Sequence, residues 1–192
     1  MTRAKTPART SYRRRTLLGV VAVVVLVVGA CLLLATGLGQ GNAVAKSPLV
    51  GRRAPGFALP ALPGTGAAVR LSALRGQVVL VNFWASWCTE CRNEQADLNR
   101  LWARYRDAGV VVVGVDFQDA VGDARDFVAR TGATYPVVAD RRSQTALAYG
   151  VRGIPETYLV GPDGRLVDRV IGAVDPDRLG RRIDALLDGA RS

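Results

Sequence analysis

From Gln77 onward the chain alternates between short apolar runs and longer stretches of helical periodicity. QVVLVNFWA, Gln77 to Ala85, is β-branched and aromatic on both faces, which predicts a central strand covered from two sides. Residues 89–107 predict a helix. Leu98, Leu101, Trp102 and Tyr105 fall at i, i+3, i+4 and i+7, while Arg100, Arg104 and Arg106 lie elsewhere around it. Gly109 should end that helix. Val110–Val115 reads as a second buried strand, and Asp119 as the cap of a helix over Ala120–Arg130. Tyr135–Val138 reads as a short strand and Ser143–Tyr149 as a short helix. The GPDG turn of Gly161 to Gly164 separates Thr157–Val160 from Leu166–Ile171, which predicts a hairpin. Residues 175–188 close the chain as a helix. Upstream, Phe57–Leu59 and Val69–Leu71 could pair as a smaller hairpin, followed by one helical turn in SALRG, capped by Ser72 and stopped by Gly76. This order implies an α/β sandwich with a mixed central sheet.

The N-terminal pattern is different. Residues 17–38 are 22 residues without a charge. As a helix they would span about 33 Å, enough for a hydrocarbon core of roughly 30 Å. They have no polar face, unlike a buried helix of a soluble domain. The expected organisation is a basic cytoplasmic arm at 1–16, a transmembrane anchor or uncleaved signal at 17–38, a linker at 39–49 and a domain at 50–190. Arginines before the span place the N-terminus in the cytoplasm and the domain outside the cytoplasmic membrane, where disulfides are permitted. Ala43-Val44-Ala45 could serve a signal peptidase. Val28 to Cys31 looks like a lipobox, but apolar Leu32–Leu34 follows it. Arg14-Arg15 resembles a twin-arginine signal.

The net charge is +10. Seven basic residues and no acid stand in residues 1–46, so the remainder carries only +3. The charge therefore reports a basic arm and not a nucleic-acid surface. There is no His and there are three Cys. That excludes Ser-His-Asp and Cys-His catalysis, His-ligated metals and any four-ligand Cys/His zinc site. No cofactor or metal is expected.

The remaining chemistry sits in FWASWCTEC, Phe83 to Cys91. A Cys-x-x-Cys at a strand-to-helix junction places Cys88 at a helix N-terminus, where free N–H groups and the dipole favour a thiolate. Cys91, one turn deeper, can resolve a mixed disulfide. The alternatives are half a zinc site, which lacks further ligands, and a static disulfide. Cys31, inside the apolar span, reads as an inert residue.

FWASWCTEC, GVDFQD (Gly114 to Asp119) and GIPETYLV (Gly153 to Val160) together resemble the TlpA/ResA/DsbE (CcmG) family. These are membrane-anchored, extracytoplasmic thiol–disulfide oxidoreductases of thioredoxin-like fold. The resemblance spans residues 50–188. It implies a mixed central sheet with an N-terminal hairpin extension and a central αβ insertion. It further implies Cys88 as nucleophile, Cys91 as resolving thiol, supporting roles for Trp87 and Glu94, and a cis peptide at Ile154-Pro155 facing the sulfurs with Glu156 beside it. The implied activity is reduction of protein disulfides, those of apocytochrome c or its partners in cytochrome c maturation, with other extracytoplasmic clients as the alternative. The implied electron donor is a membrane thiol transporter of CcdA/DsbD type. Glu94, three residues after Cys91, shares a helix face with it. Burial beside Leu98 and Leu101 should raise its pKa. Thr89-Glu90 replaces the residues usual between the cysteines, where a Pro is common, and Glu90 should disfavour the Cys88 thiolate. A peroxiredoxin would need Pro-x-x-x-Thr-x-x-Cys, but Val81 and Ala85 hold those positions. A Sco-like copper chaperone would need a distal His.

Overall fold

The structure is a computed structural model describing residues 18–29 and 47–191, with the Arg191 side chain not described. The chain divides into two units, Met1–Ala45 and Lys46–Ser192. In the first, residues 18–29 are helical, and their apolar side chains from Leu18 to Val28 are exposed. Among the described residues no helix is long and apolar enough to cross a membrane. Leu17 and residues 30–38 of the expected span lie outside the described residues. So do the basic arm, the Ala43–Ala45 site, Cys31 and most of the linker.

The second unit is a thioredoxin-like α/β fold. Its strands are β1 (Ala58–Leu59), β2 (Val69–Arg70), β3 (Val78–Trp84), β4 (Val110–Phe117), β5 (Val137–Asp140), β6 (Glu156–Val160) and β7 (Leu166–Ile171). Its helices are α1 (Thr89–Tyr105), α2 (Val121–Thr131), α3 (Gln144–Tyr149) and α4 (Pro176–Arg191). The central sheet has the order β5-β4-β3-β6-β7. β3, β4 and β5 run parallel, β6 pairs antiparallel with β3 and β7 antiparallel with β6, so the sheet is mixed. β1 and β2 form the expected small hairpin. The α2–β5 unit between β4 and β6 occupies one sheet edge. There the preceding chain covers it: Leu62 N donates to Val137 O, and Ala139 N donates to Pro60 O.

Every residue of β3 is buried. Alternation then divides the core in two. Val78, Leu80 and Trp84 face α1, α2 and α4, packing with Leu98, Leu101, Phe127, Leu179 and Ile183. Val79, Val81 and Phe83 face α3 and the N-terminal strap, packing with Phe57, Ala146, Tyr149 and Tyr158. Trp84 stacks on Phe127 with centroids 4.6 Å apart. Gly114 makes room for that indole, because a Cβ there would lie 2.9 Å from Trp84 Nε1 and 3.0 Å from the Tyr135 ring.

Several local expectations shift. The SALRG turn is a 3-10 helix over Leu71–Leu74 with no side-chain cap. It starts before Ser72 because Leu71 N is already held by Phe57 O. Asp119 is not the N-cap of α2. Ala120 occupies that position, and the Asp119 carboxylate turns back to another loop. The strand expected at Tyr135 begins at Val137: Pro136 has no N–H to donate, although its carbonyl already accepts from Gly114 N on β4. The helix expected from Ser143 begins at Gln144, and in its first turn Gln144 N and Ala146 N donate to the Asp140 carboxylate while Leu147 N donates to Ser143 O.

Candidate active site

β3 delivers the chain to the site, and α1 begins there. Cys88 is the N-cap residue of α1, in extended conformation, and its sulfur accepts a hydrogen bond from Cys91 N at 3.0 Å. A backbone N–H is thus directed at the first sulfur, as thiolate stabilisation requires. Cys88 and Cys91 are joined as a disulfide with Cα atoms 5.2 Å apart. Cys91 is fully buried, and Cys88 retains 6% of its surface, so the first sulfur is the accessible one.

Trp87 is exposed and donates from Nε1 to Gln118 O at 3.1 Å. Beneath it, the Asp119 carboxylate accepts from Ser86 N and, at 2.9 Å, from Ser86 Oγ. Gln118 reaches this position with a left-handed φ of 54°, uncommon for a residue with a side chain. The pattern of GVDFQD therefore serves the loop before Cys88.

Glu94 points inward, as its helical position predicts, and is 1% exposed. Its Oε1 accepts from Asn82 Nδ2 at 2.8 Å, and its Oε2 accepts from Val174 N at 3.0 Å. Burial raises its pKa to about 7, Asp97 adds to the rise, and those two hydrogen bonds oppose it. Asn82 also donates to Thr157 Oγ1 at 3.0 Å. Next along the helix, Gln95 donates to Cys91 O and accepts from Tyr135 OH at 2.6 Å. Glu90 lies in the exposed first turn.

The Ile154-Pro155 peptide is cis. Pro155 is buried, and the register Phe83↔Glu156 sets it at the C-terminal end of β3, where the cysteine loop emerges. Glu156 follows directly but belongs to the other sheet face. Its carboxylate meets Arg169 at 2.7 and 3.0 Å, Tyr158 OH at 2.7 Å and Arg152 N at 3.1 Å. Burial pushes its pKa up, but the Arg169, Tyr158 and Arg152 contacts outweigh that and leave it lowered. Thr157, one residue on, faces Asn82 and Glu94 instead. Asn82 stands where thioredoxins carry a buried Asp; Thr157, Gln95 and Asp119 are the site-forming residues that sequence reasoning did not place. The signal for Asn82 was present, as the single polar residue in the apolar run of β3. Among the described residues no group of His, Cys, Asp and Glu is placed to hold a metal ion.

This arrangement can exchange disulfides: an accessible sulfur on a helix N-terminus, a buried partner, and a buried carboxyl one turn further that titrates near neutrality. Comparison with known proteins agrees. The profile of the AhpC/TSA family matches residues 50–169. The thiol-disulfide oxidoreductase ResA of Bacillus thuringiensis is 31% identical over 130 residues, covering 68% of this chain and 74% of its own. The thiol:disulfide interchange protein HelX of Rhodobacter capsulatus is 35% identical over 142 residues, covering 73% and 78%. A Chlorobium tepidum crystal structure described as a thiol:disulfide interchange protein DsbE superposes with a TM-score of 0.65 at 37% identity, over 70% of this chain and 95% of its own. The chain thus belongs to the AhpC/TSA family of thioredoxin-like proteins, and within it to the thiol–disulfide oxidoreductases of ResA, HelX and DsbE type.

Proposed function

We propose that this oxidoreductase works as a reductase of protein disulfides outside the cytoplasmic membrane. In this reading residues 17–38 anchor it and apocytochrome c, or a partner in haem attachment, is its client. The supporting observation is the pairing of a helix-capping Cys88 with a buried Cys91 and a buried Glu94. In the dithiol form, the Cys88 thiolate attacks one sulfur of the client disulfide, and the other leaves as a thiolate that takes a proton. Cys91 then gives its proton to the Glu94 carboxylate and attacks the Cys88 sulfur. The client's second sulfur leaves as a thiolate and takes a proton from solvent, to which Glu94 returns the one it accepted. The client thus gains two electrons and two protons, and this protein ends as the disulfide. Glu94 suits the proton step because its pKa of about 7 lies closer to a thiol than an exposed Glu does. With no His in the chain, no imidazole competes for the role. A membrane thiol transporter of CcdA/DsbD type would restore the dithiol. Exposed Trp87 and the Pro155 end of β6 flank the sulfurs as the surface a client strand would meet.

The test is reduction of insulin by the full chain, followed by capture of mixed disulfides with Cys91→Ser in cells. Reduction of insulin together with trapped apocytochrome c is the expected result. Trapping only other clients would refute the cytochrome assignment, and absence of reduction would refute the reductase direction.

A further inference from the structure

Under the turn that carries Trp87 and Cys88 lies a second acidic site, separate from Glu94. Asp116, near the end of β4, is 4% exposed. Its Oδ1 is buried with no hydrogen-bond partner, and the Asp119 carboxylate stands close enough to disfavour its charged form. Asp119 in turn accepts from Ser86 N, Ser86 Oγ and Ala120 N. Gln118, between the two acids, takes the Trp87 indole on its carbonyl. Asp116 thus neighbours a carboxylate that is held on Ser86, two residues before Cys88.

We infer that Asp116 is a positioning residue for the Cys88–Cys91 centre: its proton bridges to Asp119, holds that carboxylate on Ser86, and so fixes the turn from which Trp87 and Cys88 project. The inference rests on Cys88 being the attacking sulfur. Losing the bridging proton sets two carboxylates against each other in a buried place. Asp119 then releases part of its hold on Ser86, and the added negative charge disfavours the Cys88 thiolate. The ionisable groups acting on Asp116 are Asp119, which repels its charged form, and Arg141, just past β5, which favours it. Its neighbours across the sheet, Trp84 on β3 and Ala139 on β5, carry no charge, nor does the disulfide on α1. Burial and Asp119 outweigh Arg141, placing the Asp116 transition near pH 7.

The test uses the full chain labelled with carbon-13 at aspartate carboxyls, so that Glu94 is silent. The Asp116 resonance, identified by its loss in Asp116→Asn, should titrate near neutrality. The Trp87 indole N–H should shift with the same midpoint and lose that step in Asp116→Asn, whose amide donates to Asp119 at every pH. In the reduced protein, Cys88 alkylation in Asp116→Asn should match wild type at pH 6 and exceed it by about threefold above neutrality, equivalent to roughly half a pKa unit. Asp119→Asn should slow alkylation throughout. Titration of Asp116 with ordinary carboxylates, or superimposable alkylation profiles for wild type and Asp116→Asn, would overturn the inference. Those readouts do not depend on insulin turnover, so failure of the reductase reading would show separately.

Discussion

Replacing Glu94 by Gln should flatten the dependence of stability on pH. The carboxyl has a folded pKa of about 7 against an ordinary 4.5, chiefly through burial. Between those values the folded chain keeps a proton that the unfolded chain has lost. The stabilisation is therefore complete below about pH 4.5 and is lost as pH rises through 7. At about 1.4 kcal/mol per pKa unit, the loss attributable to Glu94 is about 3 kcal/mol. Because Glu94 is 1% exposed, solvent screening removes little of it. Asp116, also raised to about 7, contributes in the same direction in both proteins and cancels in the comparison. The assay is urea unfolding of the oxidised protein from pH 4.5 to 8, with the disulfide intact so that neither thiol titrates. Wild type should lose stability across that range, and Glu94→Gln should lose about 3 kcal/mol less. Gln keeps an acceptor for only one of the two donors, Asn82 Nδ2 and Val174 N, so the variant should also be weaker at low pH by about 1–3 kcal/mol. Parallel pH profiles for the two proteins would show that Glu94 keeps an ordinary pKa.

In the reduced protein Cys88 should be alkylated well before Cys91, followed by mass spectrometry of the peptides; equal rates would contradict the difference in burial. Arg169→Met strands the buried Glu156 carboxylate, and urea unfolding at pH 7 should show a loss of about 3–5 kcal/mol, with a loss below 1 kcal/mol counting against the ion pair. Phe127→Ala removes the ring stacked on Trp84 and should cost about 3–5 kcal/mol by the same assay, with an altered Trp fluorescence; an unchanged midpoint would mean the pocket refills. Protease added to intact spheroplasts should digest the domain from residue 47 onward, and protection until lysis would reverse the proposed topology.

Much of this architecture was legible because its signals are local. The run around β3 is apolar on both faces, and the strand is buried on both. The stripe through Leu98 and Leu101 announced the inward face of α1 and carried Glu94 with it. Cys88 stood at a helix start by its spacing alone. What stayed hidden depends on contacts distant in sequence. Asp119 precedes a helix and reads as a cap, but Ser86, 33 positions away, holds its carboxylate instead. Ser72 likewise lost its capping position to a bond between Leu71 and Phe57. Glu156 follows Pro155 directly, and alternation along β6 sends its side chain to the face of Tyr158. Asp116 lay just past the expected end of its strand, unremarked within GVDFQD, until the fold set a second acid against it.

The Glu156 cluster closes residues 152–156 into a ring. Arg152 N donates to the Glu156 carboxylate, Arg169 anchors that carboxylate from β7, and Pro155 O accepts from Gly172 N. None of these bonds involves a sulfur atom, so opening the disulfide breaks no bond of the ring. A client strand docked along it would be held alike by the spent and the active protein. The spent form would then compete for the same clients. Throughput would then follow the ratio of dithiol to disulfide and not the total amount of protein.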